Sequence, residues 1–247
     1  MLHRLLNASP LKPDGVTYRG REVSRLEAFS DAVFGFAITL LVVSLDVPYN
    51  YTELMDRMSG WLAFAVCFVL LVQFWFKHYM FFRRFGLSDM TTVVLNSALL
   101  FVLLLYIYPL KYIFSLFFYT VLHVGPAAIQ QGLASLTTAH VRTMFALYGF
   151  GFLVVYLLYA ALYVHAFRMR EHLKLSRLEL FDTRDAIGSN AAIASIGLVS
   201  LVMSQLLPDR FLQLSGWVYI MTGPVATVVG TVGGTRRKKL EQALARQ

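Results

Sequence analysis

The sequence predicts an all-α, polytopic membrane protein with six transmembrane helices. Three observations predict it. Hydrophobic residues make up 57% of the 247 residues and charged residues only 15%, where an average soluble domain carries roughly 25% charged residues. Mean hydropathy is +0.61. The apolar residues fall in long unbroken blocks, which argues against a soluble globule, a disordered chain and a barrel of alternating ~10-residue segments. The lone Cys67 lies inside an apolar block, so neither a disulfide scaffold nor redox chemistry is expected.

About 20 apolar residues cross a bilayer core, and six stretches qualify: about 27–47, 60–82, 91–120, 142–167, 186–207 and 211–234. The first begins where a polar run gives way to AVFGFAITLLVVSL. The second ends at Arg83 and Arg84. The third contains Pro109 and then Lys111, which predict a kink or an early end. Residues 123–139 form the longest outer connection. The fourth ends in the basic segment Arg168–Arg184, and the sixth runs into Arg236–Lys239. Lys and Arg concentrate before the first span, between the second and third, between the fourth and fifth, and after the sixth. The opposite side offers only Arg57, Lys111, Arg142 and Arg210. Both termini are therefore expected in the cytoplasm. The domain reading is a polar N-terminal tail over 1–24, a six-helix membrane domain over 25–235 and a basic tail over 236–247. Residues 1–20 lack the apolar core of a signal peptide. The net charge of +8 belongs to these loops, so no nucleic-acid partner is expected. No internal repeat of the inverted-transporter type is visible.

Asp31 lies just inside the first span, where an ionised carboxylate is expensive unless it finds donors away from lipid. Arg25, six residues earlier, lies about 120° away around the helix and is a poor partner. Gln73, Trp75, Lys77 and His78 lie near the inner end of the second span, and Asn96 lies about a turn and a half into the third. A rise of about 1.5 Å per residue puts Asp31, Trp75, His78 and Asn96 at one depth. Two readings follow: a buried network clamping three spans, or scattered interfacial residues. Lys77 is expected either to pair with Asp31 or to snorkel to the boundary.

At 100° per residue, Gly35, Thr39 and Val43 share one face of the first span, with Phe36 at its edge and Asp46 near the outer end. This face again has two readings. It is a helix-packing surface of small and hydroxyl residues, or it is the wall of a narrow, mostly dry tube with a threonine ring.

The run Arg25-xxx-Phe29-Ser30-Asp31, with Ala32-Val33-Phe34 and Ala37-Ile38-Thr39-Leu40-Leu41, resembles the first-helix signature of the transmembrane protein 175 family. Trp75-xx-His78, Asn96 and Pro109 resemble its next landmarks, so the likeness is specific over residues 25–110. The family comprises an endolysosomal potassium channel and short prokaryotic relatives. The resemblance implies a six-span subunit in a prokaryotic inner membrane, a homotetramer in the bilayer, and potassium as permeant ion with no cofactor. It implies a central pore lined by the first helix, with Phe36 at the constriction, Thr39 as a hydroxyl ring, Val43 as an outer apolar ring and Gly35 beside them. It also implies that Arg25, Phe29, Ser30 and Asp31 join Trp75, His78 and Asn96 in an interhelical network. Phe36 departs from the Ile or Leu usual in relatives.

Three other features point elsewhere. Thr231-Val232-Gly233-Gly234 looks like the TVGYG potassium filter, but it abuts Arg236–Lys239 with no re-entrant loop, and Gly230 with Gly234 reads as a packing face or helix end. His140, His165 and His172 lack metal-ligand spacing. An enzyme is not expected, since no nucleophile elbow, carboxylate pair or metal motif is present. The alternative to a passive channel is a proton-coupled transporter with Asp31 and His78 as its relay.

Overall fold

The computed structural model describes residues 17–20, 22–43 and 48–246, apart from the side chains of residues 42 and 43. The described chain is all-helical. It runs α1 (Arg25–Val43), α2 (Tyr51–Met58), α3 (Trp61–Phe85), α4 (Met90–Leu122), α5 (Ala127–Ala134), α6 (Thr138–Arg168) and α7 (Arg177–Leu206). Two 3-10 turns, Asp209–Phe211 and Val218–Met221, flank α8 (Leu214–Trp217), and α9 (Thr222–Ala245) follows. Five helical stretches among the described residues are long and apolar enough to cross a membrane: α3, α4, α6, α7 and Asp209–Ala245.

Local chemistry sets the helix ends. The Asp89 carboxylate accepts from the Thr91 backbone N–H at 3.2 Å and starts α4. Ser176 and Glu179 cap each other at the start of α7, as do Thr137 and His140 at the start of α6. Each satisfies backbone donors that a helix N-terminus leaves without partners. Gly86 ends α3 in the left-handed region at φ 60°, where a residue lacking Cβ is unstrained.

Pro109 neither ends α4 nor splits it, for the helix continues over 33 residues to Leu122. The 123–139 connection contains α5. Residues 236–245 continue α9 as helix. Gly230 and Gly234 have open space around them, whereas Gly233 lies against Asp185, with room for no Cβ (2.6 Å to the carboxylate). The TVGG run is thus ordinary helix.

The helices α6 and α7 make the most extensive helix pair. A Cβ on Gly149 would stand 2.8 Å from Leu201 N, and one on Gly197 would stand 2.8 Å from Gly149 O. The two backbones therefore meet directly. Aromatic rings fill the space between α3 and α6: Phe81 meets Tyr163 edge-on at 5.3 Å, and Tyr159 donates to Phe74 O at 2.7 Å. Charged groups gather at one end of the bundle. There Asp182 of α7 accepts from Arg84 of α3 at 3.1 Å and from Arg237 of α9 at 3.0 Å. Residues 17–20 lie across this end. Arg19 pairs with buried Glu179 at 2.7 Å, and Gly20 N–H donates to Arg83 O at 3.1 Å.

Candidate functional site

Helix α1 has two unlike faces. Glu27, Ser30, Phe34, Ala37 and Leu41 are buried, and their three- and four-residue spacing is the stripe that packs against α3 and α4. On the other face Phe29 and Phe36 are 59% and 58% exposed. Ala32, Gly35, Thr39 and Leu40 are exposed beside them. Nothing lies within 4 Å of the position a Cβ on Gly35 would take. Thr39 Oγ1 donates its proton to Phe36 O at 2.7 Å. What the hydroxyl can offer a neighbour is therefore its lone pairs. Val43 closes α1, but its side chain lies outside the described residues, as does Asp46.

The buried face carries two separate polar links. Trp75 Nε1 donates to Asp31 Oδ1 at 2.8 Å. Asn96 Nδ2 donates to Ser30 Oγ at 2.8 Å, and Ser30 Oγ donates to Leu26 O at 2.8 Å. His78 Nε2 stands 2.8 Å from Asn96 Oδ1. An amide oxygen only accepts, so Nε2 holds the proton. His78 Nδ1 is then a bare lone pair, buried without a partner. Phe34 and Phe82 close around the ring at 5.5 and 4.6 Å.

Two members of the implied network stand apart from it. Arg25 and Phe29 are exposed and take no part in these hydrogen bonds. Helical geometry gives the reason: at 100° per residue Arg25 and Phe29 lie on the same side as Phe36, away from α3 and α4. Lys77 also points elsewhere. Its Nζ donates to Asn190 Oδ1 of α7 at 3.3 Å and stands 4.5 Å from the Tyr156 ring of α6. Two residues along a helix turn the side chain by about 200°, so Lys77 leaves α3 opposite Trp75 and away from Asp31. Asp31 and His78 belong to different links, so no hydrogen bond joins the pair that a proton relay would need.

Sequence reading missed a contact at the C-terminal end of α1. Lys111 Nζ donates to Leu41 O at 2.7 Å. The signal was a lone charge in an otherwise apolar helix. Among the described residues no three His, Cys, Asp or Glu side chains come together to hold a metal ion.

A family model described as "Endosomal/lysosomal potassium channel TMEM175" matches residues 25–106. A potassium channel of Marivirga tractuosa is 34% identical over 233 residues, covering 92% of this chain and 94% of that protein. The chain belongs to the TMEM175 family of potassium channels. A second relative, a potassium channel of Chamaesiphon minutus, is 33% identical over 87 residues, 32% of this chain and 43% of its own. Among solved structures, a variant of the potassium channel MtTMEM175, crystallised with a Nanobody–MBP fusion protein, aligns with a TM-score of 0.79 at 33% identity. That match covers 91% of this chain and 99% of the other. A TMEM175 homolog from Chamaesiphon minutus shares the fold at a TM-score of 0.51 and 23% identity, over 83% and 96% of the two chains. This TMEM175 protein is a potassium channel and a multi-pass membrane protein, and its family is not a class of enzymes.

Proposed function

We propose that potassium moves passively along an axis shared by four copies of the chain, past a constriction built from the open face of α1. In this reading α1 is a sixth span and the basic end of the bundle faces the cytoplasm of a prokaryotic cell, within its inner membrane. Phe36 forms the narrowest ring, Gly35 leaves space beside it, Thr39 follows and Val43 stands beyond.

The observation that carries the reading is the composition of that open face. It combines a large ring at Phe36, 58% exposed, with free space at Gly35 and a hydroxyl whose lone pairs are unspent. A surface meant only for lipid gains nothing from an outward hydroxyl oxygen or an exposed glycine. A cation pathway uses both. Potassium sheds hydration water more readily than sodium, so a tight apolar ring penalises sodium more. The Thr39 oxygens return part of the lost coordination to a partly dehydrated ion. Such a throat also closes by dewetting. Potassium preference from this device is modest, because no rigid carbonyl cage surrounds the ion.

The test is electrical. Purified protein in a planar bilayer with potassium on one side and sodium on the other is expected to give steady currents without any coupled gradient. Phe36→Ala is expected to widen the throat, raising unit current about twofold or more and lowering the potassium-to-sodium permeability ratio. Unchanged current and ratio in that variant remove Phe36 from the pathway. Flux that needs a proton gradient restores the transporter reading.

A further inference from the structure

Lys111 is the only charged residue in the 33 residues of α4. A lone ammonium in an apolar membrane helix is disfavoured unless something holds it. Here a backbone carbonyl of α1 does. Lys111 Nζ donates to Leu41 O at 2.7 Å. Leu41 is two residues beyond Thr39 and five beyond Phe36, and its side chain is buried at 2% exposure. The contact therefore reaches the helix on its packed side, directly behind the open face.

The second link of α1 lies at its other end, where Ser30 and Asp31 meet Asn96 and Trp75. Between the two links the packed side of α1 offers Phe34 and Ala37, both apolar and buried. Apolar contacts on that stripe set which side of α1 is buried but have little directional preference, so they do not fix small rotations of the helix about its own axis. Directional bonds at both ends do. A turn of the helix swings Phe36 and Thr39 toward or away from whatever they face.

We infer that Lys111 is a positioning residue for potassium conduction: it acts through the Leu41 carbonyl and fixes the rotation of α1 that presents Phe36 and Thr39. The inference rests on the reading that the open face of α1 lines the pathway. The bond is to backbone, so its role does not depend on the residue type at position 41. It depends on the donor and on the length of its stem.

The experiment compares Lys111→Met, Lys111→Arg and Phe36→Ala as assembled channels in bilayers with mixed potassium and sodium. Lys111→Met removes the donor while keeping most of the stem. It is expected to lower the potassium-to-sodium permeability ratio about twofold or more. Lys111→Arg keeps a long, charged donor and is expected to hold the wild-type ratio. A merely structural role would change the yield of assembled channels and leave the ratio of those that assemble unchanged. If Lys111→Met does not assemble, Lys111→Gln replaces it, being uncharged and one atom too short to reach Leu41, with the same expected fall. A wild-type ratio in the Met or Gln variant overturns the inference, as does an Arg variant as impaired as Met. Phe36→Ala separates the two levels. A shift there with none at Lys111 defeats only the inference, whereas no shift at Phe36 defeats the pathway reading and the inference with it.

Discussion

The pair α6–α7 and the helix α1 are held in opposite ways. Gly149 and Gly197 bring α6 and α7 together backbone against backbone, at distances that exclude a single Cβ. Helix α1 touches its neighbours through side chains on one stripe and leaves the other side open. In lipid, close approach of small residues replaces the hydrophobic driving force that packs helices in water. The first arrangement gives one fixed geometry. The second gives a helix held by one packed stripe and a few directional bonds. The difference separates a frame, α6 and α7, from a helix, α1, that on the proposed pathway is the element whose small displacements change what an ion meets.

The largest expected effect breaks the frame. Gly149→Leu forces bulk against Leu201 N and Gly197 O and is expected to destabilise the protein by about 3 kcal/mol or more. Loss of the folded fraction in detergent, followed by thermal unfolding, measures it; a variant that melts like wild type removes the glycine contact from the frame. A smaller effect is expected at α1. Asn96→Leu leaves Ser30 and His78 without their partner and is expected to lower stability by about 2 kcal/mol. Hydrogen exchange sharpens the comparison, since α1 amides are expected to exchange faster while those of α6 and α7 keep their protection. Equal acceleration in both would dissolve the distinction.

The smallest effect lies where α4 meets the frame. Asp89 at the start of α4 accepts from Thr92 and faces His165 of α6 at 2.9 Å. Burial raises its pKa, but the bonds from Thr92 and His165 outweigh burial and pull it down to about 2. A folded-state pKa below the ordinary 3.8 means that the ionised group stabilises the fold above about pH 4. That contribution fades as pH falls through about 2. Asp89→Asn keeps the helix cap and removes the charge. Its melting temperature is expected to fall below wild type at neutral pH and to converge with it as pH drops from 4 to 2. A gap that stays constant with pH would assign the effect to packing.

The sequence shows the long spans more clearly than their ends. Apolar length alone finds α3, α4 and α6 within a few residues. It does not find α2 and α5, whose eight residues each carry no buried side chain and so leave no core stripe to read. Pro109 looks like a helix end because its own N–H is missing, yet the packing of α4 outweighs one lost bond. Rise per residue gives depth, and depth brings Asp31, Trp75, His78 and Asn96 to one level. It cannot say which of them bond, and Asp31 and His78 belong to separate links. Rotation about the helix axis decides that, and it also turns Arg25, Phe29 and Lys77 away. Arg19 was unreadable for another reason: its partner Glu179 is 160 residues distant, and no local pattern announces such a pair.

The length of α4 has a consequence of its own. Thirty-three residues extend about 50 Å at 1.5 Å each, whereas the hydrocarbon layer is about 30 Å deep. Tilts up to about 40° do not absorb that excess. With Met90 set at one boundary, a layer of that depth takes up about 20 residues of an upright α4 and about 26 of one tilted by about 40°, so about the last seven residues or more extend past the other boundary. The overhang leans on α5, with Asp56 of α2 gripping the Ala127 N–H at 2.8 Å. The aromatic residues of that end, among them Phe117 and Tyr119, would then meet headgroups and water rather than acyl chains.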